Sequence, residues 1–257
     1  MSSSLVAFII GAGSNVGGSV AALLKEKGYA VALGSRNPDI QKVKQYGYYP
    51  VKIDATEKDS IKAAFAAINT DLGPPNVVVY NGKTLFAFGD EDRLITVHQF
   101  VIAAFHQSPT DASDPSTLPL DAFDKGASIG SNVFVAIQEA LVGFRSSKHE
   151  NNPKAFIVTG NRLPTVKAPT PGYLALDLQK VIEQRIIGQF ARADRIGIQF
   201  AFAFLVSESG EAPPYDVFLK SGPTHAKVYW ELINRKEGPW DYRFTPDGKK
   251  LAGYESL

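Results

Sequence analysis

The stretch Leu5-Val-Ala-Phe-Ile-Ile10-Gly11-Ala-Gly13-Ser14-Asn15-Val16-Gly17-Gly18 decides the fold. Six apolar residues run without a polar interruption, as expected of a strand buried on both faces of a parallel sheet. Glycines follow at once, and Val16–Lys27 then reads as a helix stopped by Gly28. A strand that turns sharply into a helix brings its backbone close to whatever sits over the turn. The helix start offers free N–H groups and the positive end of its dipole, so the natural occupant is a phosphate. A tight turn that binds nothing has the same glycines. The strand before and the helix after them are the context that favours the phosphate.

The same alternation continues outward. Tyr29–Leu33, Val51–Ile53, Val77–Tyr80, Phe156–Thr159, Ile198–Val206 and Tyr242–Thr245 read as strands. Ser60–Ile68, Leu120–Ser146, Leu174–Asp194 and His225–Arg235 read as helices. Strands alternating with helices predict a doubly wound α/β Rossmann fold, with a mostly parallel sheet of about seven strands. No linker divides the chain, so residues 1–257 read as one domain. Lys83–Pro119 breaks the rhythm, and its end, Ser108–Pro119, has the Ser, Thr, Asp and Pro content of an exposed loop. Loops at 83–119 and 207–221 are expected to face the substrate.

Composition narrows the classes. The chain has 257 residues, 44% of them hydrophobic and 21% charged, an ordinary globular balance. There is no Cys, which excludes disulfides, thiolate metal sites and a Cys nucleophile, and agrees with a reducing compartment. Lys and Arg total 27 against 26 acids, a net charge of +1, which offers no general attraction to nucleic acid or to an anionic membrane. Apolar runs such as Phe200–Val206 fall far short of the ~18 residues of a spanning segment. The start, Met-Ser-Ser-Ser, lacks the cationic segment of a signal peptide. A cytoplasmic protein acting on a small molecule, without nucleic-acid or membrane partners, is expected. The four His have no HExxH spacing, and no metal site is expected. His98 and His106 fall in the irregular insertion.

The second strand ends in Gly34-Ser35-Arg36-Asn37. A ribose with a free 2′-hydroxyl is usually held by an acid at this place, and none occurs before Asp39. Ser35 and Arg36 offer instead a hydroxyl and a guanidinium suited to a 2′-phosphate. The expected cofactor is therefore NADP(H).

These segments together resemble the short-chain dehydrogenase/reductase superfamily over nearly the whole chain. The turn Gly11, Gly13, Ser14, Asn15, Val16, Gly17 is similar to the family's glycine loop, with Asn15 in place of its central Gly. Asp54-Ala55 resembles the family's adenine-binding site, and Asn81-Gly82 the segment that lines the cofactor. Asn132, in Ser-Asn-Val-Phe-Val, matches the helix Asn that holds a structural water. The resemblance implies a Ser-Tyr-Lys chemistry beside Asn132. In it the Tyr moves the proton, the Lys lowers the Tyr pKa and bonds the ribose, and the Ser polarises the carbonyl.

Here the pattern is incomplete, and two alignments compete. In the first, Tyr173 is the acid, and the residue four on is Asp177, which would raise a phenol's pKa. In the second, Lys180 is the ribose lysine, and the Tyr position is Leu176. Spacing favours the second: Pro171-Gly172 stands four residues before Leu176, and Lys180 lies seventeen residues before Gly197. Asn161 occupies the Ser position, where its amide can donate a hydrogen bond but cannot act as an acid. Leu205-Val206 replaces the family's Pro-Gly after the sixth strand. Tyr173 is the best surrogate acid, although a helix would place it about 10.5 Å along its axis from Lys180. The sequence expectation is thus an NADP(H)-dependent oxidoreductase with an altered proton donor, using Asn132, Asn161, Tyr173 and Lys180. The alternative is a catalytically degenerate NADP(H)-binding protein: a sensor, a scaffold or a non-redox activity. The resemblance also implies a homodimer or homotetramer, for which Val133, Ile137, Leu141 and Phe144 form a candidate stripe; that stripe fits the sheet equally well.

Overall fold

The computed structural model describes residues 5–81, 111–168, 172–193 and 197–253. Gly82, most of the 83–119 loop with His98 and His106, and Pro171 lie outside the described residues. Seven strands form one sheet: β1 (Val6–Ile10), β2 (Ala30–Ser35), β3 (Tyr49–Lys52), β4 (Val77–Tyr80), β5 (Ala155–Thr159), β6 (Gln199–Leu205) and β7 (Asp241–Phe244). Their order is β3-β2-β1-β4-β5-β6-β7. Every pairing is parallel, β6 with β7 included. The helices are α1 (Val16–Glu26), α2 (Ile40–Gln45), α3 (Lys58–Asp71), α4 (Leu120–Phe144), α5 (Leu174–Ala193), α6 (Tyr215–Leu219) and α7 (Gly222–Asn234).

The alternation of β1 divides the core. Val6, Phe8 and Ile10 join the residues of α3 and α4, whereas Ala7 and Ile9 join those of α1 and α7. β1 is therefore apolar on both faces, which is why the first run of sequence has no polar break. The helix α4 is long and apolar enough to cross a membrane by length and composition, but half of its most apolar window is buried inside the protein. Gly126 and Gly130 let it lie against the backbone of α5 at Ala175 and Gln179.

Several boundaries differ from those read in the sequence. The helix read from Leu174 begins there, as α5, so Tyr173 stands just before it and the helical spacing to Lys180 does not apply. The helix read from His225 starts earlier, at Gly222, as α7, with Pro223 in the first turn, where its missing N–H has no helical acceptor to lose. The loop 207–221 contains the short helix α6. The stripe offered for assembly is internal: Val133, Ile137 and Phe144 are buried in the core, since that face of α4 meets the sheet.

Candidate active site at the carboxyl edge of the sheet

Because all seven strands run the same way, every loop after a strand emerges on one edge. The order reverses between β1 and β4, and the crevice there is where an open α/β sheet holds a ligand. The glycine turn sits at that point. Gly11 has φ 83°, a left-handed conformation that glycine adopts without a Cβ clash. The Gly34 carbonyl accepts from the N–H groups of Gly11 and Ala12 at 3.0 and 3.2 Å, tying the turn to the end of β2. Asn81 Nδ2 donates to the Gly11 carbonyl at 2.8 Å, tying it to the end of β4. A Cβ on Gly17 would come within 2.8 Å of the Ala12 Cα and 2.9 Å of the Gly11 carbonyl, so the helix start can approach the turn only without one.

This closeness leaves donors over. Gly13 N–H bonds Gly11 and Gly18 N–H bonds Gly13, but the backbone N–H groups from Ser14 to Gly17 have no acceptor among the described residues. They are the first N–H groups of α1, and they fit the pyrophosphate of a dinucleotide. The space over Gly13 is open, with no atom within 4 Å of where its Cβ would be. The Asn15 side chain is turned elsewhere: its Nδ2 donates to the Phe218 carbonyl at 2.9 Å, anchoring α6 on the glycine turn. Asn15 therefore offers a ligand its backbone.

Ser35 ends β2, and Arg36 follows it, exposed and without a hydrogen bond among the described residues. Asp54 Oδ1 accepts from the Thr56 N–H and hydroxyl at 2.9 and 2.8 Å, which shapes the loop after β3. Asn132 Nδ2 donates to the Ala55 carbonyl at 2.9 Å, while its Oδ1 is buried and unpartnered. A buried amide oxygen without a donor accords with a site for an ordered water.

On the other side of the crevice, Asn161 Oδ1 accepts from Leu163 N–H at 3.0 Å, so only its NH2 is left to face outward partners. Arg162 forms an ion pair with Glu211, joining the loop after β5 to the loop after β6. Lys180 is buried on α5, and its Nζ donates to the Thr159 carbonyl at 3.0 Å and to Glu183 Oε2 at 2.8 Å. Thr159 Oγ1 in turn accepts from the Tyr229 hydroxyl of α7 at 2.9 Å. Partial burial pushes the Tyr173 phenol and the Asp177 carboxyl upward from their usual ranges. Val206 continues the line of β6, its N–H donating to the Phe244 carbonyl at 2.9 Å, where a Pro-Gly would leave the sheet.

The described site residues read from the sequence thus belong to the loops and helix starts along one edge or to the helices beside it; Gly82 lies outside the described residues. Glu183 and the Arg162–Glu211 pair were not read. Glu183 had a signal: an acid three residues after Lys180, on the inner face of an amphipathic helix. The pair across two loops had none.

Comparison with known proteins agrees with this architecture. No family model matches the chain. A curated protein of Cryptosporiopsis sp. (strain 8999), the short chain dehydrogenase/reductase dmxR12, is 31% identical over 258 residues, covering 99% of this chain and 96% of the relative. The chain belongs to the short-chain dehydrogenase/reductase family. Among solved structures, a metagenomic short-chain oxidoreductase in complex with NADP superposes with a TM-score of 0.65 at 14% identity, covering 95% of this chain and 99% of that one. An NADH-dependent reductase, A1-R′, complexed with NAD gives 0.65 at 14%, covering 98% of each. These two share the fold while differing in cofactor.

Proposed function

We propose that the chain is an NADP(H)-dependent oxidoreductase acting on a carbonyl or alcohol of a small organic molecule, with Tyr173 as its proton donor. The observation that carries this reading is the row of groups along the carboxyl edge. Unpaired N–H groups of Ser14 to Gly17 lie at the centre, Arg36 stands after β2 and Lys180 stands beyond β5. When bound, the nicotinamide supplies or takes up the hydride. The chain binds, orients and moves the proton.

The glycine-turn N–H groups hold the pyrophosphate. Ser35 and Arg36 hold the 2′-phosphate by charge-assisted hydrogen bonds. Asp54 and Ala55 flank the adenine, Asn81 lines the crevice, and Lys180 bonds the ribose hydroxyls. Asn132 holds a water through its unpartnered oxygen. Asn161 donates its NH2 to the substrate oxygen. The Tyr173 phenol gives its proton to a developing alkoxide, and its partial burial, which raises its pKa, makes it a weaker acid than a free phenol. Lys180 is engaged with Glu183 and does not assist it.

A second reading is cofactor binding without turnover, favoured by Leu176 at the position of the phenol. NADPH consumption over a panel of ketones, aldehydes and quinones separates the two. Turnover that Tyr173→Phe abolishes, with NADPH affinity unchanged, is the expected outcome. Tight NADPH binding with no turnover on any class favours the second reading. A fully active Tyr173→Phe removes the phenol from the chemistry.

The partner that fits the exposed face of α4 and α5 is a second copy of the chain. Leu120, Phe123, Phe134 and Val142 recur at helical spacing on the outer side of α4, and Leu174 and Val181 on that of α5, all exposed.

A further inference from the structure

Lys180 and Glu183 stand one turn apart on α5, and both are buried, at 4% and 0% exposure. Glu183 accepts at both oxygens: from Lys180 Nζ at Oε2, 2.8 Å, and from Gln179 Nε2 at Oε1, 2.8 Å. Accepting at both oxygens is the pattern of an ionised carboxylate. Burial raises the Glu183 carboxyl from its usual range, and the Lys180 ammonium and the Gln179 amide pull it back. An ammonium has three N–H donors. Two of those on Lys180 are engaged, by Glu183 and by the Thr159 carbonyl, which leaves one for a partner over the strand ends.

A buried ammonium needs an anion, since an unpaired one is driven to lose its proton. One turn before Lys180 the chain carries Leu176, which supplies no charge, and Asp177, which forms no ion pair with the lysine and whose Oδ1 has no hydrogen-bond partner among the described residues. The other ionisable group facing Glu183 is Tyr80 of β4, which is buried, donates to the Ile129 carbonyl at 2.9 Å and is held neutral by its burial. Glu183 is thus the anion available to Lys180 among the described residues.

We propose that Glu183 is a positioning residue for cofactor binding: it keeps Lys180 charged and aimed, so that the third N–H of the lysine meets the ribose hydroxyls. The proposal rests on the reading of Lys180 as the ribose lysine.

NADPH affinity by fluorescence titration and the thermal midpoint are measured for the wild type, Lys180→Met, Glu183→Gln and the double variant. Each single change strands a buried charge or leaves the site without one, and lowers the midpoint. The double change removes both charges and recovers much of the midpoint but none of the affinity. Lys180→Met and Glu183→Gln each weaken NADPH roughly tenfold or more, the loss expected of a hydrogen bond to a charged group. Glu183→Asp, which keeps an anion beside the lysine, recovers part of the affinity that Glu183→Gln loses. If Glu183→Gln does not fold, Glu183→Asp is read against the wild type, with weaker binding because the shorter carboxylate holds the lysine less closely. Unchanged affinity in Lys180→Met overturns the ribose reading and the proposal with it. Loss in Lys180→Met beside wild-type affinity in the Glu183 variant overturns the proposal alone.

Discussion

Asp177 lies between Tyr173 and Lys180 with its Oδ1 buried and without a hydrogen-bond partner among the described residues. Desolvation raises its carboxyl above the usual range, so folding disfavours the charged form. The contribution to stability is full below the unfolded pKa of about 3.9 and is lost as pH rises through the higher folded value. Asp177→Asn is therefore expected to raise the thermal midpoint at neutral pH and to match the wild type in acid, with NADPH affinity unchanged. Equal midpoints at both pH values in a scanning fluorimetry series would show that the carboxyl is fully solvated. The sequence could place Asp177 and Lys180 on one helix but not rank them. What separates them is what each side chain touches: Lys180 has Thr159 and Glu183, and Asp177 Oδ1 has nothing. Those partners come from elements distant in sequence or from a salt bridge that reads by default as a surface pair.

Among the elements, α4 and α5 set the position of Lys180. A Cβ on Gly130 would fall 2.9 Å from the Gln179 carbonyl and 3.1 Å from its Cα, so any side chain there pushes α5 away. Gly130→Ala is expected to destabilise by about 1–3 kcal/mol, the range for overpacking, and to weaken NADPH because Lys180 moves with its helix. A denaturant midpoint equal to that of the wild type would contradict the close contact. The long elements were legible because their apolar residues repeat strongly: β4 was read at its observed limits, and α1, α3 and β5 within a few residues. Two short helices, α2 and α6, were not. Neither buries a residue, so neither carries an apolar period. The start of α7 was missed although Pro223 marks a first turn, because Gly222-Pro223 also has the composition of a loop.

At the scale of the whole molecule, the all-parallel sheet is what gathers the site, since it sends each loop that follows a strand to one edge. Alternation of strands with helices made this legible; the Arg162–Glu211 pair that joins two of those loops was not, because it depends on the folded path. The outer faces of α4 and α5 belong to this scale too. Leu120 is 73% exposed and Val142 62%, an unusual placement for a monomer when they share a stripe with Phe123 and Phe134. Light scattering is expected to give a dimer or larger for the wild type and a monomer for Phe134→Glu; a monomeric wild type at micromolar concentration would sink the assembly. The crevice at β1 and β4 as a site for NADP(H) is tested most directly by calorimetric titration of NADPH and NADH into the wild type and Arg36→Ala. The expected result is tighter binding of NADPH, weakened by about 1–3 kcal/mol in Arg36→Ala, with NADH little changed. Equal losses for both cofactors, no loss for either, or no binding at all would contradict it.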